Sequence, residues 1–228
     1  MACPPALVLF DIDGTLVRRA GPHHRRALEE AVWRTAGVRA STDHIPVQGM
    51  LDRDILSWMM RDAGLPAARI RGLMPDVVKR AQSLYVRWCP DLRQKVCPGV
   101  RSLLRSLHNR GAVMGLVTGN LSRIGWRKMD RAGLRPYFTF GSFAEFASTR
   151  ALLARRAVRE ARRNEWISRA TPVALVGDHP NDIAAARANG LRSIAVATGL
   201  VAYEELRGHL PDILVADLRE LKPERFWS

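Results

Sequence analysis

Three short polar clusters carry the chemistry that this chain can do. The first, Asp11-Ile12-Asp13-Gly14-Thr15, sets two carboxylates two residues apart. In extended backbone, side chains at i and i+2 point to the same side, roughly 6–7 Å apart. At that reach one acid can attack a substrate while the other moves protons, and both can address one metal. Asp and Gly are also ordinary turn residues, so the segment taken alone reads equally well as a polar strand end entering a turn. The second cluster is Thr118-Gly119-Asn120, and the third is Gly177-Asp178-His179-Pro180-Asn181-Asp182. Alone, the second reads first as a plain strand-to-helix turn, and Gly177-Asp178 is no more specific.

The elements that precede the clusters make them a set. Each follows a short apolar run without charge: 6–10, 114–117 and 173–176. Such a run is expected of a strand buried on both faces of a parallel sheet. Further strands are expected at 137–140, 191–196 and 213–215, and helices at 99–109, 122–132, 148–164, 181–189 and 203–210. Strands alternating with helices over short loops predict an α/β fold, a Rossmann-like three-layer core around a parallel sheet. Between the first two strands lies a helical block, with helices expected at 22–36, from Asp52 as cap to about 63, and at 67–88. It reads as an inserted α-helical cap domain at 18–94, with the core made of 1–17 and 95–228. In a doubly wound sheet ligands bind beyond the carboxyl ends of the strands, so the three clusters are expected to meet in one crevice.

Their chemistry is complementary. Four carboxylates gathered at one point repel unless a hard divalent cation sits among them, and oxygen ligands with retained waters suit Mg²⁺. Such a site, with the Thr118 hydroxyl and the Gly119 amide at the start of a helix near Asn120, suits a phosphoryl group.

At this point the chain resembles the haloacid dehalogenase superfamily, in its phosphatase branch with a helical cap inserted after the first strand. Phe10-Asp11-Ile12-Asp13-Gly14-Thr15-Leu16, Leu116-Val117-Thr118-Gly119-Asn120 and the run from Val176 to Ala186 match the family's first, second and fourth motifs. In the cap, Gly49-Met50-Leu51-Asp52-Arg53-Asp54-Ile55-Leu56 is similar to phosphoglycolate phosphatase-like members. The resemblance implies Asp11 as nucleophile, forming an aspartyl-phosphate, and Asp13 as the acid and base that serves the leaving alkoxide and then the attacking water. It implies phosphate binding by Thr118, Gly119 and Asn120. Mg²⁺ would be held by Asp11, the backbone carbonyl of Asp13 and Asp178, with Asp182 in the same cluster. As implied by the family, an acid at Asp13 speaks against its dehalogenase and phosphonatase branches.

One motif departs. The family's third motif is a Lys ahead of the fourth-motif strand, but residues 141–150 hold none. Arg150 is the candidate substitute; the alternative places it on a solvated helix face with Arg155, Arg156, Arg159, Arg162 and Arg163. A guanidinium fork holds phosphate but does not duplicate an ammonium. In the cap, Gln48, Arg53 and His23 are the polar residues to consider for substrate, Arg53 being equally placed for a local ion pair with Asp52 or Asp54. The resulting expectation is a Mg²⁺-dependent phosphomonoester hydrolase for a small phosphorylated metabolite, phosphoglycolate-like or a sugar phosphate. The rivals are a phosphomutase of the β-phosphoglucomutase type and a non-catalytic binding protein.

Composition narrows the remaining classes. Apolar residues make up 47% of the chain, and no run approaches the eighteen or so a membrane span needs. The N-terminus has no basic region leading into an apolar one, so a cytoplasmic protein is expected. Cys3, Cys89 and Cys97 have no metal-ligand spacing and are expected reduced; His23-His24 reads as a solvated helix start. The net charge is +14, with 32 Arg against 4 Lys; residues 95–169 carry 16 basic and 4 acidic side chains. No nucleic-acid module accompanies that patch and aromatics do not interleave with it, so nucleic acid is not expected as a partner. The sequence specifies no oligomeric state.

Overall fold

The computed structural model describes residues 6–18 and 21–227, so Cys3 falls outside it. The chain opens with β1 (Leu7–Phe10), wholly buried. Three helices follow, α1 (His23–Ala36), α2 (Asp52–Asp62) and α3 (Ala67–Trp88), and they pack chiefly on one another. The alternating part then runs α4 (Val100–Asn109), β2 (Val113–Val117), α5 (Ser122–Ala132), β3 (Phe140–Ser142), α6 (Arg150–Arg163) and β4 (Val173–Gly177). It ends with α7 (Pro180–Arg187), β5 (Arg192–Val196), α8 (Tyr203–Gly208) and β6 (Ile213–Val215).

All six strands form one parallel sheet in the order β3-β2-β1-β4-β5-β6. The order reverses at β1, which leaves a crevice beyond its carboxyl end. Register decides what enters that crevice. Phe10 pairs with Leu116 on one side and Val176 on the other. One step further along places Asp11 beside Val117 and Gly177, and the next residues on those strands are Thr118 and Asp178. The α/β, Rossmann-like architecture expected from the alternation is therefore present.

Two local expectations change. The strand expected at 137–140 lies later, at Phe140–Ser142, because Arg135–Tyr137 winds into a 3-10 turn around Pro136. Gly115 supplies the reason: Phe140 pairs with it, and a β-carbon there would come within 2.7 Å of the Phe140 ring. Asp52 does not cap α2 with its side chain; Leu51 holds the cap position, and the Asp52 carboxylate is buried against another helix.

The helical block leaves and rejoins the sheet at neighbouring points. The amide of Arg18 donates to the Lys95 carbonyl and that of Cys97 to the Leu16 carbonyl, so the outgoing and returning segments run side by side. Among the described residues, no helix is long and apolar enough to cross a membrane. Cys89 and Cys97 are both free and buried.

Candidate active site

Asp11, Asp178 and Asp182 come together at the strand ends, each buried, with one carboxylate oxygen of each within 4.8 Å of the others. Asp11 is placed by its amide, which donates to the Val176 carbonyl at 2.9 Å. Asp178 accepts from the Thr15 hydroxyl at 3.0 Å. Its carboxylate presses on Gly14, where φ is +87° and a β-carbon would lie 2.1 Å from Asp178 Oδ2, so that turn accepts only glycine. Asp182, in the first turn of α7, has both oxygens buried without a hydrogen-bond partner.

Arg150 lies in this cluster and apart from the helix face that the alternative assigned to it. The five arginines from Arg155 to Arg163 are exposed, whereas Arg150 is 8% exposed. Its Nη1 donates to Asp11 Oδ1 at 2.7 Å and to the Val117 carbonyl at 3.1 Å, and its Nε stands 3.3 Å from Asp182 Oδ1. The α6 start explains the aim: Thr149 caps the helix through its side chain, which leaves Arg150 as the first helical residue, turned to the sheet. Burial works to lower the Arg150 pKa, but the charges of Asp11 and Asp182 outweigh it and keep the guanidinium protonated.

Three carboxylates and one guanidinium leave a formal charge of −2 in a buried site. Burial, together with the charges of Asp11 and Asp182, raises the Asp178 pKa well above the carboxylate range. Asp182 is pushed up to about 7 by burial, against the pull of Arg150. A divalent cation with oxygen ligands fits this deficit, because it offsets the charge and gives the two orphaned oxygens of Asp182 a partner.

Asp13 parts from that cluster. Its carboxylate, 37% exposed, receives Lys128 Nζ on both oxygens, at 2.7 and 2.6 Å, and Asn120 Nδ2 on Oδ2 at 2.8 Å. Burial alone would raise its pKa, yet the charge of Lys128 and these hydrogen bonds outweigh it and hold the group below the ordinary carboxylate range. Asn120 also donates to Thr118 Oγ1, through its amide at 3.3 Å and Nδ2 at 2.8 Å. Thr118 Oγ1 accepts both bonds, so its own proton is directed to a further acceptor.

The helix start expected to hold phosphate is already filled. In the first turn of α5, the Leu121 amide donates to Asp52 (2.8 Å), Ser122 to Glu145 (2.9 Å) and Arg123 to Gln82 (2.8 Å). Three side chains from elsewhere thus satisfy the amides that a helix leaves open. Those amides are therefore not open to a phosphate group.

Sequence reasoning missed Lys128, His24 and Asp52. Lys128 is 1% exposed, and His24 is no solvated helix start: its Nε2 contacts Asp52 Oδ2 at 3.0 Å and its Nδ1 lies 3.3 Å from Lys128 Nζ. Helical spacing held the signal. Lys128 sits four residues from both Ile124 and Ala132, on the stripe that α5 buries, and His24 sits four before the buried Leu28. Gln48 and Arg53 are exposed, on either side of the place where the helical block meets the sheet. There Asn181 Nδ2 donates to the Gly49 carbonyl at 3.0 Å and the Asp52 amide to the Gly119 carbonyl at 2.8 Å.

Comparison with known proteins gives the family and the fold. A family model described as haloacid dehalogenase-like hydrolase matches residues 5–190. The phosphoglycolate phosphatase of Synechococcus elongatus is 28% identical over 213 residues, covering 91% of each chain. That of Pseudomonas fluorescens is 24% identical over 247 residues, covering 96% of this chain and 79% of its own. Among solved structures, CbbY from Rhodobacter sphaeroides in complex with phosphate superposes with a TM-score of 0.70 at 22% identity, over 95% of this chain and 96% of that one. The β-phosphoglucomutase of Clostridium difficile gives 0.67 at 16%, over 98% and 97%. Both likenesses speak for the fold alone.

Proposed function

Since this chain belongs to the haloacid dehalogenase-like hydrolase family and is a phosphatase, we propose that it is a Mg²⁺-dependent phosphomonoester hydrolase for a small phosphorylated metabolite, phosphoglycolate-like or a sugar phosphate. The observation that carries the reading is the buried meeting of Asp11, Asp178 and Asp182 with Arg150 on the Asp11 carboxylate. Asp11 Oδ1 is tied to Arg150, so the other oxygen attacks phosphorus as the ester P–O bond breaks. Asp13 gives its proton to the departing alkoxide. Asp13 then takes a proton from water, whose oxygen displaces the Asp11 carboxylate and releases inorganic phosphate.

In the free protein Asp13 is held ionised by Lys128, the form that the second half needs. The negative charge of an arriving phosphate works against that ionisation, so Asp13 takes up a proton from solvent and enters the first half as the acid. Arg150 and the Thr118 hydroxyl take the phosphoryl oxygens, where charge develops. Asp11, Asp178 and Asp182, with the Asp13 carbonyl, would hold Mg²⁺, which supplies Lewis-acid polarisation and offsets the repulsion between carboxylate and phosphate.

Residues 18–94 form the cap and residues 1–17 with 95–228 the core in this reading, supported by the paired segments at Arg18 and Lys95. The cap segment around Gly49 lies against the third cluster, which gives Gln48 and Arg53 the task of meeting the leaving group. The buried free thiols Cys89 and Cys97 suit a reducing cytoplasm.

A panel of phosphorylated metabolites assayed for phosphate release with Mg²⁺ tests the reading. Release by the wild type that is lost in Asp11→Asn supports it. Equal rates in the two proteins, or transfer to a sugar phosphate in place of water, refute it.

A further inference from the structure

Beyond keeping Asp13 ionised, Lys128 is a buried cation whose donors are all engaged. An ammonium has three protons. Its acceptors here are the Asp13 carboxylate (2.6 and 2.7 Å), Asn120 Oδ1 (2.6 Å) and His24 Nδ1 (3.3 Å). Because Lys128 only donates, His24 Nδ1 must accept, which leaves the ring proton on Nε2 facing Asp52 Oδ2 at 3.0 Å. The same logic orients Asn120. With Oδ1 taken by Lys128, Nδ2 must face Asp13 and Thr118. That in turn makes Thr118 Oγ1 an acceptor and sends its proton toward the phosphate. One ammonium therefore sets the direction of every hydrogen bond from His24 to Thr118.

We propose that Lys128 is a positioning residue for the reaction: it fixes the Asp13 carboxylate for proton transfer and, through Asn120, aims the Thr118 hydroxyl. At 1% exposure it touches no substrate, so its effect reaches the reacting atoms only through Asp13 and Asn120. The assignment rests on the phosphatase reading above. Removing Lys128 leaves Asp13 free to rotate and Asn120 free to turn over, so proton transfer suffers in both halves of the reaction. Misplaced acid–base catalysis is worth about 10²–10⁴ in rate.

The test compares wild type with Lys128→Met, Lys128→Gln, Asp11→Asn, Asp13→Asn and Asp13→Asn/Lys128→Met, using 2-phosphoglycolate and p-nitrophenyl phosphate with Mg²⁺. Lys128→Met is expected to lose about 10²-fold or more in kcat on the alkyl ester with KM changed less than about threefold. Nitrophenolate needs no proton to leave, so on the aryl ester the variant is expected to give a burst near one equivalent per site and then turn over slowly. Loss of folded protein would lower the burst; loss of positioning would not. Adding Lys128→Met to Asp13→Asn is expected to cost less than about threefold more, since the first acts through the second.

Wild-type kcat in Lys128→Met, or losses that multiply in the double variant, overturn the assignment while the phosphatase reading stands. A wild type without activity, or an active Asp11→Asn, overturns both. If Lys128→Met does not fold, Lys128→Gln carries the same expectations with two donors kept. If neither folds, Lys128 is a structural residue and the assignment falls.

Discussion

Replacing Arg150 by Met removes the one cation from a cluster of three buried carboxylates. Taking one partner from a buried ion pair costs about 3–5 kcal/mol, because the remaining charge loses its compensation. In a chain of this size, 1 kcal/mol moves the melting temperature by about 2–4 °C. The Arg150→Met protein in EDTA is therefore expected to melt about 6–20 °C below the wild type. In the proposed reading the same carboxylates would hold Mg²⁺, which would meet less repulsion once the guanidinium has gone. Saturating Mg²⁺ should thus raise the variant's melting temperature more than the wild type's. Activity should not follow stability. In the proposed mechanism the guanidinium also meets developing charge on the phosphoryl oxygens, and losing such a donor costs about 10²–10³ in kcat. Arg150→Lys restores the charge but cannot duplicate the separate contacts of Nη1 with Asp11 and Nε with Asp182, so only part of the loss should return. Scanning calorimetry with and without Mg²⁺, beside kcat at saturating substrate, reads both effects. A variant that melts within about 2 °C of wild type in EDTA and keeps its kcat within threefold would refute the reasoning.

Other outcomes follow from the same geometry. Without metal, stability should fall as pH rises from about 4 to 7: folded Asp182, with its pKa near 7, holds a proton that the unfolded chain releases near 3.8. Asp178 acts in the same direction, whereas the depressed pKa of Asp13 acts only below that window. Melting temperatures in EDTA from pH 5.5 to 7 should decline, and Mg²⁺ should remove the decline; a rise in EDTA would contradict this account. Asp52→Ala strips the Leu121 amide and His24 of a buried acceptor, and should cost about 1–3 kcal/mol in urea unfolding. Cys97, buried and pushed up to about 11, and Cys89, raised by burial, should react with a thiol reagent only as fast as the protein unfolds. Rapid labelling of either in folded protein would refute that.

Much of this molecule was legible in its residues. Apolar runs ending in Asp11, Thr118 and Asp178 identified buried parallel strands, and the topological rule for such sheets put those ends together. Local periodicity and strand order suffice for this, because both are written in adjacent positions. The helical block between the first two strands was legible for the same reason. Arg150 was half legible: its place before the fourth-motif strand marked it, but its helix carries five other arginines of the same type that face solvent. Only the packing of the α6 start against the sheet separated it from them.

What the tertiary structure decided is the second set of charges. Lys128, His24 and Asp52 lie 28 to 104 residues apart in pairs and on three helices, and no local pattern links them. Lys128 sits in an Arg-rich helix where a cation ordinarily means a wet face, and Asp52 stands where a helix cap is expected. Whether each is buried depends on which helix lies across from it, a matter of long-range packing. The sequence by itself determined that two carboxylates stand at the end of one buried strand, beside the polar ends of two others. The fold determined that they differ: Asp11 lies with Asp178, Asp182 and Arg150, and Asp13 with Lys128 and Asn120. A side chain's charge environment is the sum of its neighbours in space, and for Asp13 those neighbours come from α5 and from the turn between β2 and α5.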